Sequence, residues 1–424
     1  MGEVTLANSK PSAVAAPAAP LADRAFTRST MILIVACVLC AILDGYDVVV
    51  ISYVVPLLSK EWSEPLAGFG IVFSIGLVGL VVGALGLAPL ADQHGRRKIM
   101  LGALVLGAVA TFANAFVGGL VPLLVCRLFV GLAMGVIIAL VVTIAHEASP
   151  PRYRMLIVTI VGCGLSLGNL AAGLLASVVL PRFGWEPLFL GAAALNVLIG
   201  AMFVVTLRDS VVARKTARTH YLSHIGSLFS KDLAKLTVVL WVLHFGGVGA
   251  NYMLISWLPS LLTRSGYAAA DAALATSLIS FGGLVGGLLS GFALARFGRA
   301  WIFTLYGCAA LLIVTIPFVL GTPWLYAINF VVGICIVGGY ISNNAITSEL
   351  YPASSRASGL GWAQGVGRSG GVITPLIVSL ALQLNASLTQ IVLLAAVFPL
   401  MSTIAAILLG KVSAPTELRT DEVT

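Results

Sequence analysis

Twelve apolar runs divide this chain, and each is long enough to cross the roughly 30 Å hydrocarbon layer of a bilayer as one helix. They extend approximately over Met31 to Leu58, Phe69 to Ala91, Ile99 to Val117, Leu120 to Ala145, Met155 to Leu180, Leu188 to Leu207, Leu236 to Leu262, Ala272 to Ala295, Trp301 to Leu320, Trp324 to Thr347, Ser358 to Leu382 and Gln390 to Leu409. A backbone in lipid must satisfy its own amides, so runs of this length fold as helices and the fold class is an all-α integral membrane bundle. Only 9% of the residues are charged, against about 25% in soluble domains.

The net charge of +8 is distributed as membrane topology distributes it, not as a nucleic-acid surface would be. Arg96, Arg97, Lys98, Arg152, Arg154, Arg208, Arg214, Lys215, Arg218, Arg296, Arg299, Arg356 and Lys411 fall on one side of the spans, whereas Lys60, Arg182 and Arg264 fall on the other. The positive-inside rule makes the first side cytoplasmic, with both termini on it and an even number of spans between. Residues 1–30, rich in Ala, Pro and Ser, read as a disordered cytoplasmic tail, and 411–424 as a second tail. The longest polar interruption, 208–235, reads as a cytoplasmic linker between six spans in 31–207 and six in 236–410. All six cysteines lie within spans and lack zinc spacing, so packing is their expected role; no disulfide, metal or cofactor is expected.

The two sets of six repeat each other at a shift of about two hundred residues. Ile51-Ser52-Tyr53 followed by Pro56 resembles Ile255-Ser256-Trp257 followed by Pro259, and Gly95-Arg96 is matched by Gly298-Arg299. Glu147, Pro150 and Arg154 recur as Glu349, Pro352 and Arg356 with the same E-x-x-P-x-x-x-R spacing. Paired six-helix halves with a site at their interface describe a secondary transporter working by alternating access.

Against this apolar background, Leu43-Asp44-Gly45-Tyr46-Asp47 places two carboxylates in the middle of the first span. One such residue costs about 2.5 to 3.5 kcal/mol on insertion scales, a cost that folding alone does not require. Three residues apart on a helix, the two share a face with Cβ atoms about 5 to 6 Å apart. Two like charges so close in a low dielectric do not both ionise comfortably, which is the physical description of a proton-carrying site. The structural alternative is that one acid caps a helix break at Gly45 and the other faces a watery vestibule.

The loop Leu90-Ala91-Asp92-Gln93-His94-Gly95-Arg96-Arg97-Lys98 closes the second span with a glycine turn, an acid and a cation cluster able to hold one conformation shut. This D-x-x-G-R-[RK] element, with a degenerate copy after the eighth span, resembles the signature of the major facilitator superfamily, and the resemblance runs from about Thr27 to Leu409. It implies two pseudo-symmetric six-helix bundles. Ala88 departs from the Gly usual four residues before Asp92, and Ala295 replaces the acid in the second copy, so gating charges are expected mainly in the first half. Asp92, Gly95, Arg96, Glu147, Arg154, Glu349 and Arg356 are the gating candidates; for the helix-end acids and arginines, bracing that differs between conformations is expected over substrate contact.

Arg127 lies inside the fourth span in R-x-x-x-G-x-x-x-G, ending at Gly131 and Gly135. A buried guanidinium needs an anion, which Asp44, Asp47 or a substrate carboxylate can supply; the pattern is similar to the family motif linked to proton coupling. The competing reading is snorkelling to the outer interface. Arg368, among glycines of the eleventh span, is a second candidate for a carboxylate, with pairing to Asn343 or Asn344 as its structural alternative. Tyr46, Tyr53, Trp241, His244, Tyr252, Trp257, Tyr340 and Trp362 put aromatic and polar edges on several spans, mainly for packing and interface belts, with Tyr46 and Trp257 retained beside Asn343 as substrate contacts.

The Asp44-Gly45-Tyr46-Asp47 element looks like the D-G-[FY]-D element of the aromatic acid:proton symporters. That resemblance implies import of a benzoate- or hydroxybenzoate-like acid with protons across a bacterial inner membrane, by a multi-pass protein expected to be a monomer with no nucleic-acid partner. Cotransport of one proton with a monoanion removes an electrical cost of about 2.3 kcal/mol per 100 mV. A drug or metabolite exporter of the same superfamily is the alternative, weakened because the fifth span has no Gly-Pro pair. A sugar porter finds few Gln or Asn in the spans, an intramembrane enzyme finds no nucleophile-base pair or metal-spaced His set, and a non-transporting receptor would be expected to carry a signalling domain. Aligning the halves sets Asp44 opposite Val248 and Asp47 opposite Asn251, so proton handling is assigned to the first half and substrate anchoring by Arg368 to the second.

Overall fold

The computed structural model describes residues 27–207, 228–230, 233–352 and 355–410, without the side chains of Asp92 and Ala357. Apart from 27–30, the expected tails 1–30 and 411–424 lie outside the described residues, as does most of the linker 208–235. Among the described residues, twelve helices are long and apolar enough to span a membrane: α1 Arg28–Glu61, α2 Leu66–Leu90, α3 Arg96–Asn114, α4 Leu120–Ala148, α5 Arg154–Phe183, α6 Glu186–Thr206, α7 Ala234–Arg264, α8 Ala269–Phe297, α9 Arg299–Phe318, α10 Trp324–Leu350, α11 Ser358–Gln383, which continues a helix that starts at Arg356, and α12 Leu388–Leu409.

Helix ends outrun the apolar runs because polar caps extend them. The Thr27 hydroxyl accepts from the Thr30 amide at 3.2 Å, so α1 starts three residues before Met31. Ser387 and Gln390 form a reciprocal capping box at the start of α12, satisfying amides that the helix leaves without intrahelical partners. The turns before α3 and α9 are made by Gly95 (φ 92°) and Gly298 (φ 54°), a left-handed conformation that side chains disfavour. The two glycines occupy the same position in the two halves.

Packing repeats along with the sequence. In the first half α1 packs on α5 and α6, α2 on α4, and α3 on α4 and α6; in the second, α7 packs on α11 and α12, α8 on α10, and α9 on α10 and α12. The halves meet where α2 packs on α11, α5 on α8 and α1 on α7. An even number of crossings puts the start of α1 and the finish of α12 at one face, called here the terminal face. The contacts that join the halves cluster toward the opposite face. There the Ser74 hydroxyl of α2 donates to the Val372 carbonyl of α11 and that of Ser379 to the Ala67 carbonyl. Phe73 meets Trp257 edge-on, with ring centroids 5.3 Å apart.

Candidate functional site

Helix α1 runs unbroken through Asp44-Gly45-Tyr46-Asp47, so neither acid caps a break. Gly45 is there for a different reason: a Cβ on it would overlap the backbone of Leu165, and one on Gly168 would overlap that of Ile42. The backbones of α1 and α5 therefore cross in direct contact between the two acids, which pins their height and rotation. Both carboxylates are buried, each 3% exposed.

Arg127 reaches this level from α4, buried and not snorkelling. Its height is set by a crossing with α2 at which Gly131 and Gly135 lie against the backbone of Gly76 and Leu80. Its Nη1 donates to the backbone carbonyl of Asp47 at 3.0 Å, and its Cζ sits 5.1 Å from the ring centroid of Phe189. The expected pairing with a carboxylate is thus replaced by one with the Asp47 main chain. Among the described residues, both Asp47 carboxylate oxygens, Asp44 Oδ1, and Arg127 Nε and Nη2 have no hydrogen-bond partner. Buried polar atoms are paired in the large majority of cases, so these acids and this guanidinium are left with hydrogen-bonding capacity to take up a proton or a polar ligand. Asp47 and Arg127 line a cavity of about 40 Å³ with Phe73, Met134, Tyr252 and Ser256, room for water rather than for a ring.

Three expected substrate contacts are committed elsewhere. The Tyr46 hydroxyl donates to the Leu188 carbonyl at 3.0 Å, tying α1 to α6. Trp257 donates through Nε1 to the Pro375 carbonyl and packs on Phe73 in the closure between the halves. Asn343 donates to the Tyr306 hydroxyl at 2.8 Å within the second half, and does not pair with Arg368. These were picked by residue type, whereas bonds to backbone carbonyls leave no sequence signal. Arg368 is half-buried and within electrostatic range of Asp44 across the two halves; Tyr252 lies within range of Asp44, Arg368 and Tyr340. Tyr252 and Ser256 of α7 line the cavity beside Asp47, a placement that neither the aromatic edge of Tyr252 nor the place of Ser256 in the repeated Ile-Ser-aromatic triplet announced.

At the terminal face Arg96 and Glu147 form a salt bridge between the start of α3 and the end of α4. Arg97 donates to the Val204 carbonyl at 3.0 Å near the end of α6. In the second half Arg299, which matches Arg96, instead donates to the Leu409 carbonyl at 2.9 Å, and Glu349 and Arg356 are exposed. Arg154 keeps a buried Nε without a partner. Among the described residues, the salt bridge of this set therefore lies in the first half, although its second-half counterparts Arg299 and Glu349 are both present. Asp92's side chain lies outside the described residues.

The chain is 30% identical to the 4-hydroxybenzoate transporter PcaK of Pseudomonas aeruginosa over 90% of its own length and 92% of that protein's. It is also 30% identical to a gallate transporter of Pseudomonas putida, covering 84% and 86% of the two. Its fold is similar to that of a bacterial homolog to the human lysosomal transporter Spinster, in an inward-facing and unoccupied conformation, with a TM-score of 0.74 and 17% identity over 91% of this chain and 97% of that one. The family model of the Major Facilitator Superfamily matches residues 37–375, and with the duplicated six-helix architecture and buried acid-guanidinium site already described, this chain belongs to that superfamily of membrane transporters.

Proposed function

We propose that this protein imports an aromatic carboxylate together with protons by alternating access. The observation that carries this reading is the buried Asp44, Asp47 and Arg127 constellation with its unpartnered polar atoms, set in the half whose counterpart carries Val248 and Asn251. Relatives similar over most of the chain are named for 4-hydroxybenzoate and gallate, both ring carboxylates. Asp44 and Asp47 take the proton, Arg127 senses their charge, and Arg368 anchors the substrate carboxylate, for which a guanidinium fork is well suited.

The halves 31–207 and 236–410 rock against each other as units. Both termini and the 208–235 linker are cytoplasmic on the positive-inside argument, so the molecule with its halves joined opposite the terminal face is inward-facing. The protein works as a monomer in the bacterial inner membrane, with Arg96 and Glu147 bracing the cytoplasmic face.

Uptake of labelled 4-hydroxybenzoate by proteoliposomes tests the proposal. Accumulation is expected when the outside is made acidic and is expected to collapse with a protonophore. Accumulation indifferent to the pH gradient would remove the coupling, and competition by cationic drugs but not by ring carboxylates would favour export of such compounds instead.

A further inference from the structure

Four polar side chains of the second half remain unused by the acid-guanidinium site. Tyr340 and Asn344 lie one turn apart on one face of α10, and Arg368 and Gln364 one turn apart on one face of α11. Gln364 Nε2 donates to Asn344 Oδ1 at 3.0 Å, while Asn344 Nδ2 reaches only the Tyr340 carbonyl at 3.4 Å. All four are half-buried. Polar groups this far inside spanning helices face a bundle interior or a watery cleft and not lipid, and Arg368, on the same face of α11 as Gln364, lies within electrostatic range of Asp44 of α1, which turns this face toward the first half.

The four side chains form two tiers. Tyr340 and Arg368 make one at the level of the acids; Asn344 and Gln364 make the next, one turn nearer the terminal face. Four residues of helix rise about 6 Å, which is the span of a benzene ring between a carboxyl carbon and a para oxygen. A primary amide offers both donors and acceptors. The Asn344–Gln364 bond uses one donor and one acceptor, leaving Gln364 Oε1 and the remaining N–H groups to face a ligand.

We propose that Asn344 and Gln364 form a hydroxyl-reading subsite, the pair of side chains by which this protein tells a ring carboxylate with a hydroxyl para or meta to the acid from an unsubstituted one. This rests on the aromatic-carboxylate reading above and on Arg368 as the carboxylate anchor. The hydroxyl bonds to Gln364 Oε1 and to an amide N–H while the ring lies between Tyr252 and Tyr340. A polar site of this kind discriminates against the analogue that lacks the hydroxyl, because its own groups are then left unpaired.

The test compares kcat/KM for uptake of 4-hydroxybenzoate, 2-hydroxybenzoate and benzoate by the full chain in proteoliposomes, in the native protein and in Gln364→Met and Asn344→Leu. The native protein is expected to prefer 4-hydroxybenzoate to benzoate, and each variant to reduce that preference about tenfold, the worth of a lost hydrogen bond or two. The preference for 2-hydroxybenzoate, whose hydroxyl stays at the carboxylate end, is expected to be the same in all three. Monodispersity in detergent and a common melting temperature establish that the variants fold. An unaltered 4-hydroxybenzoate preference in folded variants, or an equal fall for all three acids, overturns the subsite while leaving the ring-carboxylate reading in place. A native protein that takes up none of the three overturns both.

Discussion

The Ser74 hydroxyl of α2 donates to the Val372 carbonyl of α11 at 2.7 Å, and Ser379 of α11 returns a bond to the Ala67 carbonyl in the first turn of α2. The two halves are thus latched at one face by serine side chains reaching main-chain carbonyls of the opposite half. At about 0.5 to 1.5 kcal/mol per hydrogen bond, Ser74→Ala with Ser379→Ala is expected to shift the equilibrium by roughly 1 to 3 kcal/mol toward the state open at that face. Spin-label distances between the ends of α2 and α11, in a cysteine-free background, read the shift directly; an unchanged distance distribution refutes the latch.

Asp44→Asn and Asp47→Asn are each expected to abolish uptake driven by a pH gradient while the protein folds normally, since an amide removes the proton site and relieves the buried charge at once. Proton influx measured alongside substrate uptake checks this. Full coupled accumulation in either variant removes that acid from the proton pathway.

The two arginines are expected to separate in kinetics. Arg368→Lys should raise KM by about tenfold or more, because an ammonium cannot reproduce a bidentate fork on a carboxylate. Arg127→Lys should leave KM nearer to native and lower coupled accumulation, since Nη1 holds the Asp47 main chain. Uptake kinetics at fixed pH decide; the reverse assignment of effects would exchange the two roles.

Gly45→Ala should be poorly tolerated, although alanine is the better helix former. The added Cβ meets the Leu165 backbone, and overpacking of this kind costs about 1 to 3 kcal/mol. A fall in melting temperature in detergent is the expected outcome, and a native-like value would mean that α1 and α5 can separate without penalty.

For the Arg96–Glu147 brace, an exposed pair is worth about 0 to 1 kcal/mol, so Glu147→Gln should hardly move the melting temperature. Its effect is expected in transport rate, with partial rescue by the charge-swapped pair Arg96→Glu with Glu147→Arg. Absence of rescue would assign Glu147 a role apart from Arg96.

The spans, the duplication and the acid pair were all legible in the residue pattern, because insertion into lipid imposes long apolar runs and makes every interior charge conspicuous. Rotation of the helices was not. A helix apolar on all sides carries no stripe to say which face meets which neighbour, so nothing marked Tyr46 as facing Leu188 or Asn343 as facing Tyr306. Gly45, between two acids, reads equally well as a hinge or as a place of contact, and only the position of Leu165 decides. The arginine bonds to the Val204 and Leu409 carbonyls were hidden for a similar reason, since every residue offers a carbonyl.

The register that sets Gly95 against Gly298 also sets Ser74 against Ser277. On α2 that serine bridges to the other half, whereas on α8 Ser277 spends its hydroxyl on the Leu274 carbonyl of its own helix. The joined face therefore has two unlike wings, one bonded along α2 and α11, the other held along α8 and α5 by close packing of Gly173 on Ser277 and Ala273. Two edges that occupy equivalent places in the repeat thus join the halves by different chemistry, hydroxyl-to-carbonyl bonds on one and close glycine-to-serine contact on the other.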